Sequence, residues 1–234
     1  MARFKKQFLV LAVIFCISMV FAACGSDDGG GSETEKPKEE TTCEVTYSSA
    51  EIYTDSIDTS YVRVIGIVEN TGTTDLYLET ATADIEDENG EIIDSIDMVS
   101  VYPNVIAPGE KAYYYEEGFL EADPGKYKAV LNFDYDKAVD PIVRYDVSED
   151  KIKEEYESSY IVGRTANNTE EDAEFVYVAV IAFDKDGNVL GVGFDIIDTL
   201  KAGKEHGFKA YIDEIAKDDI DHYEVFAYKD AIQF

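Results

Sequence analysis

Histidine, cysteine, the carboxylates and tyrosine are the residues of this chain whose types and spacing could do chemistry. Nucleophilic catalysis needs Ser, Cys or Thr beside a base. The sequence offers two histidines, His206 and His222, both in its C-terminal half, and no Gly-x-Ser-x-Gly string. Cys43 lies far along the chain from either. Fifty acidic residues make neighbouring carboxylates unavoidable, so their presence does not mark a glycosidase. Asp87-Glu88-Asn89-Gly90-Glu91 and Asp184-Lys185-Asp186-Gly187-Asn188 have the oxygen density of a calcium loop. In the second string Asp195 stands where such a loop carries Glu, and a hairpin turn accounts for both strings without a metal. Tryptophan is absent and there are 17 tyrosines, so Tyr113, Tyr114, Tyr115 and Tyr177 are the candidates for stacking on a ligand such as a sugar ring. Alternating tyrosines in strands also serve packing. These residues point to a non-enzymatic protein without a cofactor.

The elements that must carry these residues are written twice. Gly66 and Asn70 recur as Gly163 and Asn167, and Asp87–Gly90 recurs as Asp184–Gly187, all at a spacing of 97. Ala107-Pro108-Gly109-Glu110-Lys111 corresponds to Lys201-Ala202-Gly203-Lys204-Glu205, and Gly125–Val130 to Asp221–Phe226. Between these anchors, YVRVIGIVEN, DLYLETATADI and EFVYVAVIAF are rich in Val, Ile, Tyr and Phe and read as strands. Asn89-Gly90 and Asp186-Gly187 predict primed two-residue hairpin turns, and Pro108-Gly109 a further turn. EFVYVAVIAF is apolar almost throughout; a sandwich-core strand and a strand covered on both faces are both consistent with that. Residues 150–158 and 211–219 read as short helices or polar turns. The pattern predicts an all-β chain of tandem immunoglobulin-like antiparallel β-sandwiches at 43–141 and 142–234. A single sandwich or barrel using both halves is the alternative.

The N-terminus supplies a location. Arg3, Lys5 and Lys6 precede an apolar run from Phe8 to Ala23 interrupted only by Ser18. Ala22-Ala23-Cys24 then leads into an acidic, glycine-rich stretch, which resembles a bacterial lipoprotein signal. That resemblance implies a signal peptide over 1–23, a diacylglycerol on Cys24, and a chain anchored in the membrane. A transmembrane anchor or a plain secretory signal are the alternatives. Residues 24–42 read as the lipidated cysteine and a flexible acidic tether. A formal net charge of −30 excludes nucleic acid as a partner through long-range repulsion.

The signal, the tether and the paired strings Gly66–Thr71, Asp87–Gly90 and Pro108–Glu110, then Gly163–Thr169, Asp184–Gly187 and Ala202–Lys204, resemble the FxLYD-type domains of Gram-positive surface lipoproteins. The resemblance implies immunoglobulin-like sandwiches on the outer face of the cytoplasmic membrane and transfers no catalytic residue. The expected function is an interaction surface for protein or cell-envelope partners. Solute or glycan binding through the tyrosine-rich strands is the second expectation.

Overall fold

The computed structural model describes residues 39–55, 58–155, 158–212 and 215–229, which fall within one compact unit, Lys38–Phe234. Apart from one 3-10 turn at Lys217–Asp219, every regular element among the described residues is a strand. The first half forms β1 (Cys43–Thr54), β2 (Ser60–Asn70), β3 (Leu76–Leu78), β4 (Ala81–Glu86), β5 (Ile92–Tyr102), β6 (Val105–Ile106), β7 (Lys111–Phe119), β8 (Gly125–Asn132) and β9 (Tyr135–Lys137). The second forms β10 (Val143–Glu155), β11 (Ser158–Asn167), β12 (Ala173–Phe183), β13 (Val189–Leu200), β14 (Lys204–Ile212) and β15 (His222–Lys229). Each half closes into a six-stranded antiparallel barrel, in the order β1-β2-β7-β5-β4-β8 and then β10-β11-β14-β13-β12-β15. Strand for strand the two orders are the same. The short sheet β6-β3-β9 contributes Leu76, Leu78 and Ile106 to the first core.

These closed barrels correct the expectation of immunoglobulin-like sandwiches. An open sandwich leaves the first and last strands unpaired with each other, whereas here they meet. β1 pairs β8 from Ala50↔Tyr127 to Ile52↔Gly125, and β10 pairs β15 from Val143↔Lys229 to Tyr145↔Ala227. The long first strand of each half bends to make this contact. Register breaks at Val45/Tyr47 in β1 and at Ser148/Lys151 in β10 supply the bend, since a bulge kinks a strand and increases its twist. Strand content and turn spacing are the same for a sandwich and a barrel, which is why the pattern did not separate them. Residues 150–155 are the end of β10 rather than a helix or turn. The seam between β13 and β14 pairs only Phe194 with Tyr211, and beside it Asp195 Oδ2 accepts the Lys209 amide at 2.8 Å.

The duplicated residues are fasteners. Asn70 Nδ2 donates to the carbonyls of Thr74 and Ile106 at 2.8 and 3.0 Å, and its Oδ1 accepts the Gly72 amide. Asn167 repeats the device, donating to Glu171 and Leu200 and accepting from Thr169. Each asparagine thus ties its own turn to a distant strand from a buried position. The carbonyls of Asn70 and Asn167 also accept the amides of Gly109 and Gly203, both at 2.8 Å, which fixes the Pro108-Gly109 turn and its counterpart. Gly66 and Gly163 leave room for the core: a Cβ on them would lie 2.2 Å from Leu131 Cδ1 and 2.6 Å from Phe208 Cζ.

The acidic strings are hairpin turns, of a different kind from the one expected. A primed two-residue turn needs positive φ at its first central residue, and type I′ at both. Here Gly90 and Gly187 alone have it, at 79° and 80°, and they follow ordinary turns closed by Gly90 N–H to Asp87 O and Gly187 N–H to Asp184 O. The leading aspartate folds onto its own backbone. Asp87 Oδ1 accepts the amides of Asn89 and Glu91, and Asp184 Oδ1 those of Asp186 and Asn188. Bonds from Glu91 and Asn89 hold Asp87 below the usual carboxylate range, and bonds from Asn188 do the same for Asp184.

Two outcomes are expected. Asn70→Asp or Asn167→Asp should destabilise the protein by about 2 kcal/mol in denaturant titration, because a carboxylate cannot donate to the two buried carbonyls. Asp184→Ala should lower the melting temperature at neutral pH while Asp186→Asn leaves it nearly unchanged. The depressed folded-state pKa of Asp184 contributes stability that is present above the unfolded-state value and lost as pH falls through the folded one. The gap between parent and Asp184→Ala should therefore close in acid, and calorimetry across pH checks it.

Candidate functional site

β12 fixes where the two barrels meet. Val176, Val178, Val180 and Ala182 point into the second core. Their alternates Ala179, Ile181 and Phe183, with Tyr177 at its margin, form another apolar cluster with Ile65, Tyr102 and Tyr113 of the first barrel. A strand's side chains alternate between faces, so the continuous apolar run requires two covered faces, and it has them. The first barrel reaches the junction through the outer faces of β2 and β7. There Val62, Val64, Ala112 and Tyr114 turn inward, while Ile65, Ile67, Tyr113 and Tyr115 turn toward the second barrel. An ion pair between Arg144 of β10 and Glu110 also crosses the junction.

Three of the four candidate tyrosines come together here. Tyr113 sets its edge against the Phe183 ring at 6.2 Å, and burial, with Glu224 adding to it, pushes its phenol up to about 12. Tyr115 donates to Glu117 Oε1 at 2.9 Å, and burial pushes its phenol up as well. Tyr177 stacks on Tyr228 at 6.0 Å. Tyr114 lies apart, fully buried in the first core, and donates to the Glu79 carbonyl at 2.7 Å. Cys24 lies outside the described residues. His222 stacks on Phe183 at 4.7 Å, and exposed His206 has Nδ1 2.8 Å from the Gly207 carbonyl oxygen. Cys43 packs against the first core, and burial raises its thiol pKa, which works against thiolate formation.

Two clefts open along the junction. One, of about 380 Å³, has an aromatic lining in which Tyr77 and Tyr102 face Tyr177, Phe194 and Tyr228. Phe194 is 52% exposed and stacks on Tyr102 at 5.8 Å, and Ile196 is 40% exposed beside it. The other cleft, of about 210 Å³, is charged and lies between the outer face of β1, β2 and β8 and the 184–190 hairpin of the second barrel.

Its lining belongs to a row of alternating charge across four adjacent strands. Lys126, Glu51, Arg63 and Glu117 are successive cross-strand partners on β8, β1, β2 and β7. Arg63 is only 7% exposed. Its Nε donates to Glu117 Oε1 at 2.6 Å and its guanidinium lies 4.9 Å from the centre of the Tyr53 ring. The aromatic cleft can stack on flat apolar faces, and the charged one presents a fixed guanidinium. Sequence reasoning missed Arg63. Its signal was a lone charge inside the otherwise apolar YVRVIGIV.

Placing a charge in the junction should separate the barrels without dissolving them. Ile181→Arg is expected to replace one unfolding transition by two in calorimetry and to speed proteolytic cleavage between 138 and 142, because an unpaired charge is costly in an apolar contact.

Compared with known proteins, the chain matches no family model and shows no significant similarity to a curated protein.

Proposed function

We propose that this chain is a non-enzymatic surface protein, lipid-anchored through Cys24 on the outer face of the cytoplasmic membrane, whose paired barrels present an interaction surface to a protein or cell-envelope partner. The observation that carries this reading is the aromatic cleft at the junction. Tyr77, Tyr102 and Tyr177 wall it, and Phe194 and Ile196 leave large apolar areas in water at its rim. Exposed aromatic side chains beside a groove are what recognition surfaces use for contact area at low entropic cost. The strongly negative charge of the chain favours basic or neutral partners over anionic polymers.

One feature favours a second reading, glycan binding at the same cleft. Ser100 and Asn104 line it among the aromatic rings, and sugars are held by rings that stack and polar groups that orient.

The test pairs location with contact. Cys24→Ala should abolish labelling by a fatty-acid analogue and release the protein from the membrane fraction; labelling that persists would sink the anchor. Full-length protein should bind cell-envelope components in a manner lost in Phe194→Ala/Ile196→Ser. A protease-sensitive ligand supports the first reading and a glycosidase-sensitive one the second. Binding indifferent to both substitutions removes the cleft from the function.

A further inference from the structure

From the aromatic cleft we infer that this protein binds a proline-rich segment of a protein partner, extended as a polyproline II helix and flanked by a basic residue. The inference rests on the reading of this cleft as the interaction surface and names what enters it. The observation that carries it is the distribution of charge. No charged residue lines the cleft, although 30% of the chain is charged. Exposed acids stand at its margin instead. Asp136 is the cross-strand partner of Tyr77, Glu79 lies between Leu78 and Thr80, and Asp198 is two residues along β13 from Ile196. A charged side chain inside the cleft would lose water without meeting a counter-charge, whereas a cation beside it finds one.

The floor suits proline rings. Tyr228, Tyr177 and Ile196 are successive cross-strand partners on β15, β12 and β13, so their side chains form one row on the outer face of the second barrel. Tyr102 of the first barrel stacks on Phe194 beside that row. Proline sets a compact apolar ring against such aromatics, and a polyproline II helix is already ordered, so little entropy is lost on docking. Its backbone carbonyls have no internal hydrogen bonds and need donors. Among the described residues the hydroxyls of Tyr77 and Ser100 have no hydrogen-bond partner, and both line the cleft. A sugar is less well served, because each of its many hydroxyls must be satisfied when water leaves. Asn104, the only amide side chain of the lining, is 8% exposed and already engaged. A space of about 380 Å³ admits a few residues of an extended segment.

Full-length protein in nonionic detergent, with labelled tyrosine, provides the test. Four probes with blocked termini are titrated to about 10 mM: hexaproline ending in lysine, hexaproline ending in glutamate, a Gly-Ser peptide of equal length ending in lysine, and cellohexaose. The expected result is a saturable shift of the Tyr77 and Tyr102 resonances with both hexaprolines and none with the other two. Exchanging lysine for glutamate should weaken binding by about threefold at low salt, a difference that fades as salt rises. Phe194→Ala should weaken it by about tenfold, and Tyr77→Phe, read at Tyr102, by about fivefold. Tyr77→Phe removes only a hydroxyl and decides the matter if Phe194→Ala fails to fold. No response to either hexaproline overturns the inference. So does an equal response to the Gly-Ser peptide, saturation by cellohexaose alone, or affinity unchanged in Tyr77→Phe. If the hexaprolines fail while envelope components still bind in a manner lost in Phe194→Ala/Ile196→Ser, the interaction surface stands without a proline-rich partner. If that binding is indifferent to the substitutions, the surface falls with the inference.

Discussion

The arrangement of this protein depends on one strand, β12, which from Val176 to Phe183 has no solvent face. β12 places Val178 and Val180 in one core and Ile181 and Phe183 in another cluster, so it is stable only where a second body covers the outside of its barrel. Burial of such side chains is worth roughly 1.5–3 kcal/mol each, which makes the docked pair the state in which this strand is satisfied. From that follow the position of Tyr113 and Tyr115, the stacking of Tyr177 on Tyr228, and both clefts. The charged cleft exists because Arg63 shares the outer face of β2 with Ile65 and is carried under the second barrel along with it.

Local chemistry was legible in the sequence where a residue answers a local demand. Asn70 and Asn167 had to recur because each ties three backbone groups from one buried side chain, and Gly90 and Gly187 because the turn takes positive φ there. Even so the turn type was misread, because Asn-Gly and Asp-Gly fit both a primed turn and an ordinary turn followed by a left-handed glycine. Closure was not legible. It depends on whether β1 and β10 bend far enough to meet β8 and β15, and the bulges that bend them fall at residues with no special composition, such as Val45 and Ser148. The tyrosines illustrate the same limit. Adjacent in sequence, Tyr113 and Tyr114 must face opposite ways, and only the register of β7 decides which enters the core.

The two copies share their fasteners and differ on their outer faces. The positions of Ala179, Ile181 and Phe183 on β12 correspond to Thr82, Asp84 and Glu86 on β4, and those of Ile65 and Tyr115 to Val162 and Lys209. The repeat conserved what closes a barrel and let the surface diverge.

That divergence leaves the contact between the barrels without a second copy on their free faces. The two barrels touch through unlike surfaces, head to tail, and a contact of that type can add further units indefinitely if each unit carries both halves of it. Here neither end does. The outer face of β4 offers Asp84, bonded to Ser95 and Asn132, and Glu86, paired with Lys128. The matching face of the second barrel offers Arg164 and Lys209, which pair with Glu149 and Glu155. Both ends are polar caps of the kind that terminates a solenoid. Neither free face repeats the apolar contact by which the two barrels meet.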